Sequence, residues 1–101
     1  MEYTLSTQPD GVTATLSGRF TFADHQAFRE LIGNIEMAPG RCIAVDLDAV
    51  EFLDSAALGM LLLANDASEK AGAAFVVRHP RGQVRRTLEI TEMAALFSIQ
   101  D

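Results

Sequence analysis

Val12, Ala14 and Leu16 alternate with Thr13, Thr15 and Ser17. An apolar residue at every second position is the mark of a half-buried strand. The segment "YTLST" lies just before it, with Pro9, Asp10 and Gly11 as turn residues between the two, so the chain is predicted to open with two strands. Gly18 is predicted to close the second. From residue 23 to 37 the period becomes helical, with Ala27, Phe28, Leu31, Ile32 and Ile35 on one stripe. Thr21 followed by Asp24 resembles a capping box, and Pro39-Gly40 is predicted to end the helix. "CIAVDL" is a nearly continuous apolar run with β-branched residues, as in a central strand covered on both faces. It leads through "DAVEFLDS" into a helix from about Ser55 to Ala71, stopped by Gly72. "AAFVVR" reads as a further buried strand and "HPRGQ" as a turn. "QVRRTLEI" and "EMAALF" read as short helical pieces, and "FSIQD" as a last edge strand.

Two strands first, then strands alternating with helices, predict an α/β fold. The sheet is mixed and four- to five-stranded, with helices packed mainly on one side and right-handed crossovers. At 101 residues the chain suffices for one domain, taken as residues 1–101, and not for two. No repeat, linker or low-complexity stretch interrupts it.

Charge narrows the choice of partners. The formal net charge is −6, which disfavours nucleic acid, because phosphate binding needs a clustered cationic face. It also disfavours a polybasic membrane anchor. The start carries no basic segment followed by an apolar one, and the longest apolar run is too short to span a bilayer. A cytoplasmic protein with no membrane association is therefore expected. The single cysteine, Cys42, lies in an apolar run and is expected to be a buried thiol.

The greasy helix has a polar entrance, Asp54-Ser55. At roughly 100° per residue, Ala57, Met60, Leu61, Ala64, Ala67, Ser68 and Ala71 gather on the side assigned to the sheet. Asn65, Asp66, Glu69 and Lys70 face water. Leu58, Gly59 and Leu62 fall on this polar side, with Ser55 at their edge. Two readings follow. In one, Ser55 is the helix N-cap and a neighbouring helix covers the leucines. In the other, the leucines and the glycine form a docking patch with a modifiable hydroxyl at its rim. A phosphate there would suit the helix N-terminus, yet it would put a charge of about −1.5 to −2 where a partner must dock.

The stretch "AVDLDAVEFLDSAALGML" resembles the signature of the STAS family of anti-sigma factor antagonists. The pattern is a strand ending in Asp, a short loop, an aromatic, Asp-Ser, a small pair and an early Leu-Gly. Asp46, Phe52, Asp54, Ser55, Ala56, Ala57, Leu58 and Gly59 occupy it. Most of the chain follows the family's order of elements, including "LSGRF" and "GAAFVV". The resemblance implies a single STAS domain and a binding protein, not an enzyme. Its implied partner is an anti-sigma factor with a serine-kinase fold, which phosphorylates Ser55 and then releases it, and a serine phosphatase reverses the change. Asp54, Ser55, Leu58, Gly59 and Leu62 are the implied partner-binding set. Two positions depart from the family pattern, since Ala56 and Ala57 replace a second hydroxyl residue and a glycine. Other STAS proteins serve lipid transport or transporters, so an adaptor in which Ser55 is only a cap is the alternative.

Other chemistry has less support. Ser55, His25 and His79 lack the glycines of a hydrolase nucleophile elbow. Asp46, Asp48, Glu51 and Asp54 read as an acidic rim and not as a metal site. Arg78, Arg81, Arg85 and Arg86 are four of the eight basic residues and read as a solvated face. No phosphate-binding glycine loop is present, so no cofactor is expected, and any ATP would belong to the partner. Self-association is left open.

Overall fold

The predicted hairpin begins a five-stranded sheet. In the computed structural model, which describes residues 1–101, β1 (Glu2–Gln8) pairs antiparallel with β2 (Gly11–Phe20). β3 (Cys42–Leu53), β4 (Ala74–Arg78) and β5 (Ser98–Gln100) follow in parallel, in the order β1-β2-β3-β4-β5. The hairpin passes directly into the parallel part at Gly11. A side chain there would meet the Cys42 carbonyl, and the Cys42 N–H donates to the Asp10 carbonyl at 2.9 Å.

Register assigns each strand residue to a face. Ala14, Val45 and Val77 lie in one row and Val12, Ile43 and Phe75 in the next, all buried. Thr13, Ala44 and Val76 form a row on the opposite face. The helices are α1 (His25–Gly33), α2 (Ser55–Lys70) and α3 (Gly82–Ile90). All three send buried side chains into one connected core with the first face. Ala44 and Val76 stay outside that core. Helices cover only the first face; on the second, Ala44 and Val76 are buried side by side without a helix over them, so the first half of β3 is closed on both faces as expected, while Asp46 and the flanking Thr13 and Thr15 make the rest of that face polar.

Three boundaries also differ from expectation. α1 stops at Gly33, before Pro39-Gly40, because glycine and asparagine at 33 and 34 are weak helix formers. Ile35 lies beyond the helix but remains buried. β2 runs past Gly18 to Phe20, with the left-handed backbone of Gly18 (φ 83°) lying inside the strand. β3 continues through "DAVEFL", beyond the "CIAVDL" run that predicts the strand. Two bulges explain this. Thr15 and Ser17 face Asp46 and Ala49, and Gly18 and Arg19 face Val50 and Phe52, so β3 gains one residue at each step. Its buried residues then fall at Leu47, Val50 and Leu53, every third position. Cys42, at the head of β3, is half-buried and not buried as expected.

Candidate functional site

β3 delivers Asp54 to the start of α2, and Asp54, not Ser55, is the N-cap. Its Oδ1 accepts the Ala57 N–H at 2.9 Å, the usual bond from cap to third helical residue. Its Oδ2 accepts the Phe22 N–H at 3.1 Å. One carboxylate thus joins the helix start to the turn after β2. Asp54 is left with no free oxygen, while Ser55 is the first residue of the helix, exposed and without a hydrogen bond from its hydroxyl. The amides of Ser55 and Ala56 also have no partner within the chain.

Two further contacts hold this corner. Gln83, in the first turn of α3, accepts the Leu53 N–H at 3.1 Å and donates to the Leu53 carbonyl at 3.0 Å. Its amide thereby pairs with β3 as a neighbouring strand would, beyond the point where β4 ends. Asp24 accepts the Met1 ammonium at 2.7 Å and the Thr21 N–H at 2.9 Å. Burial opposes the charge on Asp24, but the ammonium hydrogen bond, the Thr21 amide and the ammonium's charge outweigh it. They hold the Asp24 carboxyl below the usual carboxylate range.

The leucines of α2 divide differently from expectation. Leu58 is 5% exposed and belongs to the core, so its assignment to a docking surface is corrected. Further along α2, Asn65 donates to the Leu96 carbonyl at 3.2 Å, which ties the C-terminal segment to the helix. A helical wheel drawn for α2 alone does not contain this neighbour. Leu62 is half-buried and packs against the core, and Gly59 is exposed. Leu63, which had no assigned role, is 64% exposed. Ser55, Gly59 and Leu63 stand four residues apart, one above another on the helix, so their spacing was a usable signal. Phe22, 71% exposed, has its amide on Asp54 and its ring beside that of His25, with centroids 6.3 Å apart. Between α1 and α2, Phe28, Ile32, Met60 and Leu63 line a cleft of about 320 Å³, with His25 and Arg29 at its edge.

The acidic and basic groups elsewhere are mostly matched. Asp46 faces His79 at 3.2 Å and Asp48 pairs with Arg81. Arg78 donates to Gln100, and Arg85 pairs with Asp101. Asp54 thus stands apart from the acidic rim, as a cap. No helix is long and apolar enough to cross a membrane.

Comparison with known proteins agrees with this geometry. The STAS domain profile matches residues 3–101. A STAS-domain containing protein of Pseudomonas aeruginosa (strain UCBPP-PA14) is 38% identical over 88 residues, covering 87% of this chain and 86% of the relative. The Thermotoga maritima protein TM1081 superposes with a TM-score of 0.82 at 20% identity, over 98% of this chain and 86% of the other. The Bacillus anti-sigma factor antagonist SpoIIAA, unphosphorylated, gives 0.72 at 15% identity, over 99% and 88%. At these identities the two structural likenesses are likenesses of fold.

Proposed function

The chain belongs to the STAS domain family, and we propose that within it the protein is an anti-sigma factor antagonist switched by phosphorylation of Ser55. One observation carries the reading. Asp54 performs the capping and bridging, so the Ser55 hydroxyl has no structural task and stands in solvent at the rim of an apolar patch. SpoIIAA, which shares the fold, is known in phosphorylated and unphosphorylated forms.

In the proposed cycle the unmodified protein docks through Phe22, Gly59 and Leu63, with half-buried Leu62 at the margin. The partner is an anti-sigma factor of serine-kinase type, and its capture frees a sigma factor in the cytoplasm. The partner holds the ATP. The Ser55 oxygen attacks the γ-phosphorus, the bond to the β-phosphate oxygen breaks, ADP leaves and the hydroxyl proton passes to a base of the kinase. The new phosphate meets the free amides of Ser55 and Ala56 and the positive end of α2, so the domain tolerates it. The docking surface does not, because a dianion at its rim must be desolvated when the partner binds. A serine phosphatase restores the hydroxyl. The chain is the substrate in this chemistry and supplies no catalytic group.

The test mixes the purified chain with its ATP-binding partner. Without ATP a stable complex is expected. With ATP, one phosphate is expected on Ser55 by mass spectrometry, followed by dissociation, and Ser55→Ala should hold the complex in ATP. A bound, ATP-competent partner that leaves Ser55 unmodified would reject the switch.

A further inference from the structure

The sheet has two open edges of unequal length. β5 offers three residues and β1 offers seven. The direction of the β1 main chain follows from its turn. Gln8 and Gly11 pair across Pro9-Asp10, and Pro9 has no N–H, so the loop closes through mutual Gln8–Gly11 bonds. Alternation then directs the main-chain groups of Glu2, Thr4, Ser6 and Gln8 toward β2, and those of Tyr3, Leu5 and Thr7 away from the sheet. The Tyr3, Leu5 and Thr7 amides have no partner elsewhere in the chain. Strand edges are normally blunted by Lys, Pro or a bulge. β1 contains none of these, its one charge is Glu2, and its register with β2 is unbroken from Glu2 to Gln8.

We propose that β1 pairs antiparallel with β1 of a second copy, centred on Leu5, joining two five-stranded sheets edge to edge. The choice of partner rests on self-complementarity. A twofold axis at Leu5 sets Tyr3 opposite Thr7 and Leu5 opposite itself, which are the residues whose main-chain groups point outward. Each outward N–H and C=O then finds a partner, giving six hydrogen bonds. On the open face Glu2 meets Gln8 and Thr4 meets Ser6, so no like charges oppose one another. On the helix face Tyr3 and Leu5, half-buried in the single chain, are covered further. The contact is narrow, so the dimer is weak and concentration-dependent. The net charge of −6 on each copy makes it tighter as salt rises.

Sedimentation equilibrium of the full chain from about 10 μM to 1 mM tests this, with residue-resolved amide exchange at both limits. Expected are a dimer that grows with concentration and slowed exchange at Tyr3, Leu5 and Thr7. Thr4 and Ser6 are exposed, so charges are tolerated there in the monomer. Thr4→Lys with Ser6→Lys puts like charges opposite each other twice and should weaken the dimer about tenfold or more. Thr4→Lys with Ser6→Glu puts opposite charges at the same places and should bind at least as tightly as the parent. Circular dichroism confirms that both variants fold. A parent that stays monomeric to 1 mM overturns the proposal, even if the edge accepts a strand from another protein. So does a dimer whose affinity is the same in both variants.

Discussion

Asp54 and Phe22 lie 32 positions apart, yet a carboxylate oxygen of Asp54 accepts the Phe22 amide at 3.1 Å while its other oxygen caps α2. The turn after β2 and the start of α2 are therefore fixed to each other by one side chain. Removing it should affect both. Asp54→Ala should lower stability to denaturant by about 1–2 kcal/mol, the usual cost of a lost N-cap, and speed amide exchange at Phe22. Asp54→Asn, which keeps an acceptor, should lose less.

Ser55 sits next to this cap and carries none of its load. Ser55→Ala should shift unfolding by less than about 0.5 kcal/mol. Ser55→Asp should leave the fold as stable or raise stability by about 0.3–1 kcal/mol, since an acid in the first turn suits the helix dipole. Binding of the proposed anti-sigma partner should nevertheless fall at least about tenfold, as read by titration calorimetry. Equal binding of Ser55→Asp and the parent would remove the basis of the switch.

Leu58 and Leu63 should separate folding from docking. Leu58→Ala leaves a hole in the core and should cost about 2–5 kcal/mol in denaturant unfolding. Leu63→Ala should change stability by less than about 0.5 kcal/mol but weaken the partner complex.

Gln83 pairs with both main-chain groups of Leu53. Gln83→Ala strands them and should cost about 1–3 kcal/mol. Gln83→Glu keeps the acceptor but sets a carboxylate against the Leu53 carbonyl, so it should also destabilise the fold.

Asp24 gives the fold an acid-sensitive contact. Its folded carboxyl titrates below the unfolded value, so the folded state holds fewer protons there than the unfolded state. The resulting stabilisation is fully present above the unfolded value, about 3.9, and is lost as pH falls through the folded one. Asp24→Asn should flatten the stability curve below about pH 4 and lower its plateau at neutral pH, as followed by denaturant midpoints.

Much of this architecture was legible in the sequence because local pattern and tertiary position coincide. The alternation of Val12, Ala14 and Leu16 and the stripe of Met60, Leu61 and Ala64 each meet the core as their period requires. β3 was hidden in its second half because two bulges change its burial period from two to three, and a period of three does not look like a strand. The cap was read one residue late because Ser and Asp are both good caps, and only the distant Phe22 amide distinguishes their roles. Leu58 was misplaced because a helical wheel of α2 alone does not show how far the shared core reaches around the helix. Gln83 had no sequence signal, since an amide that imitates a strand neighbour is defined only once α3 lies against β3.

The bulges in β3 also uncouple the length of this stretch from its alignment. Removing Asp48 would leave Ala49 opposite Ser17 and Leu47 opposite Leu16, so the deletion is absorbed where it occurs. The same holds at Glu51. The chain could therefore lose a residue at either bulge between Asp46 and Phe52 and still present the cap and its hydroxyl neighbour at the same spot. An alignment gap there would mark drift in a tolerant spacer, not a change of task.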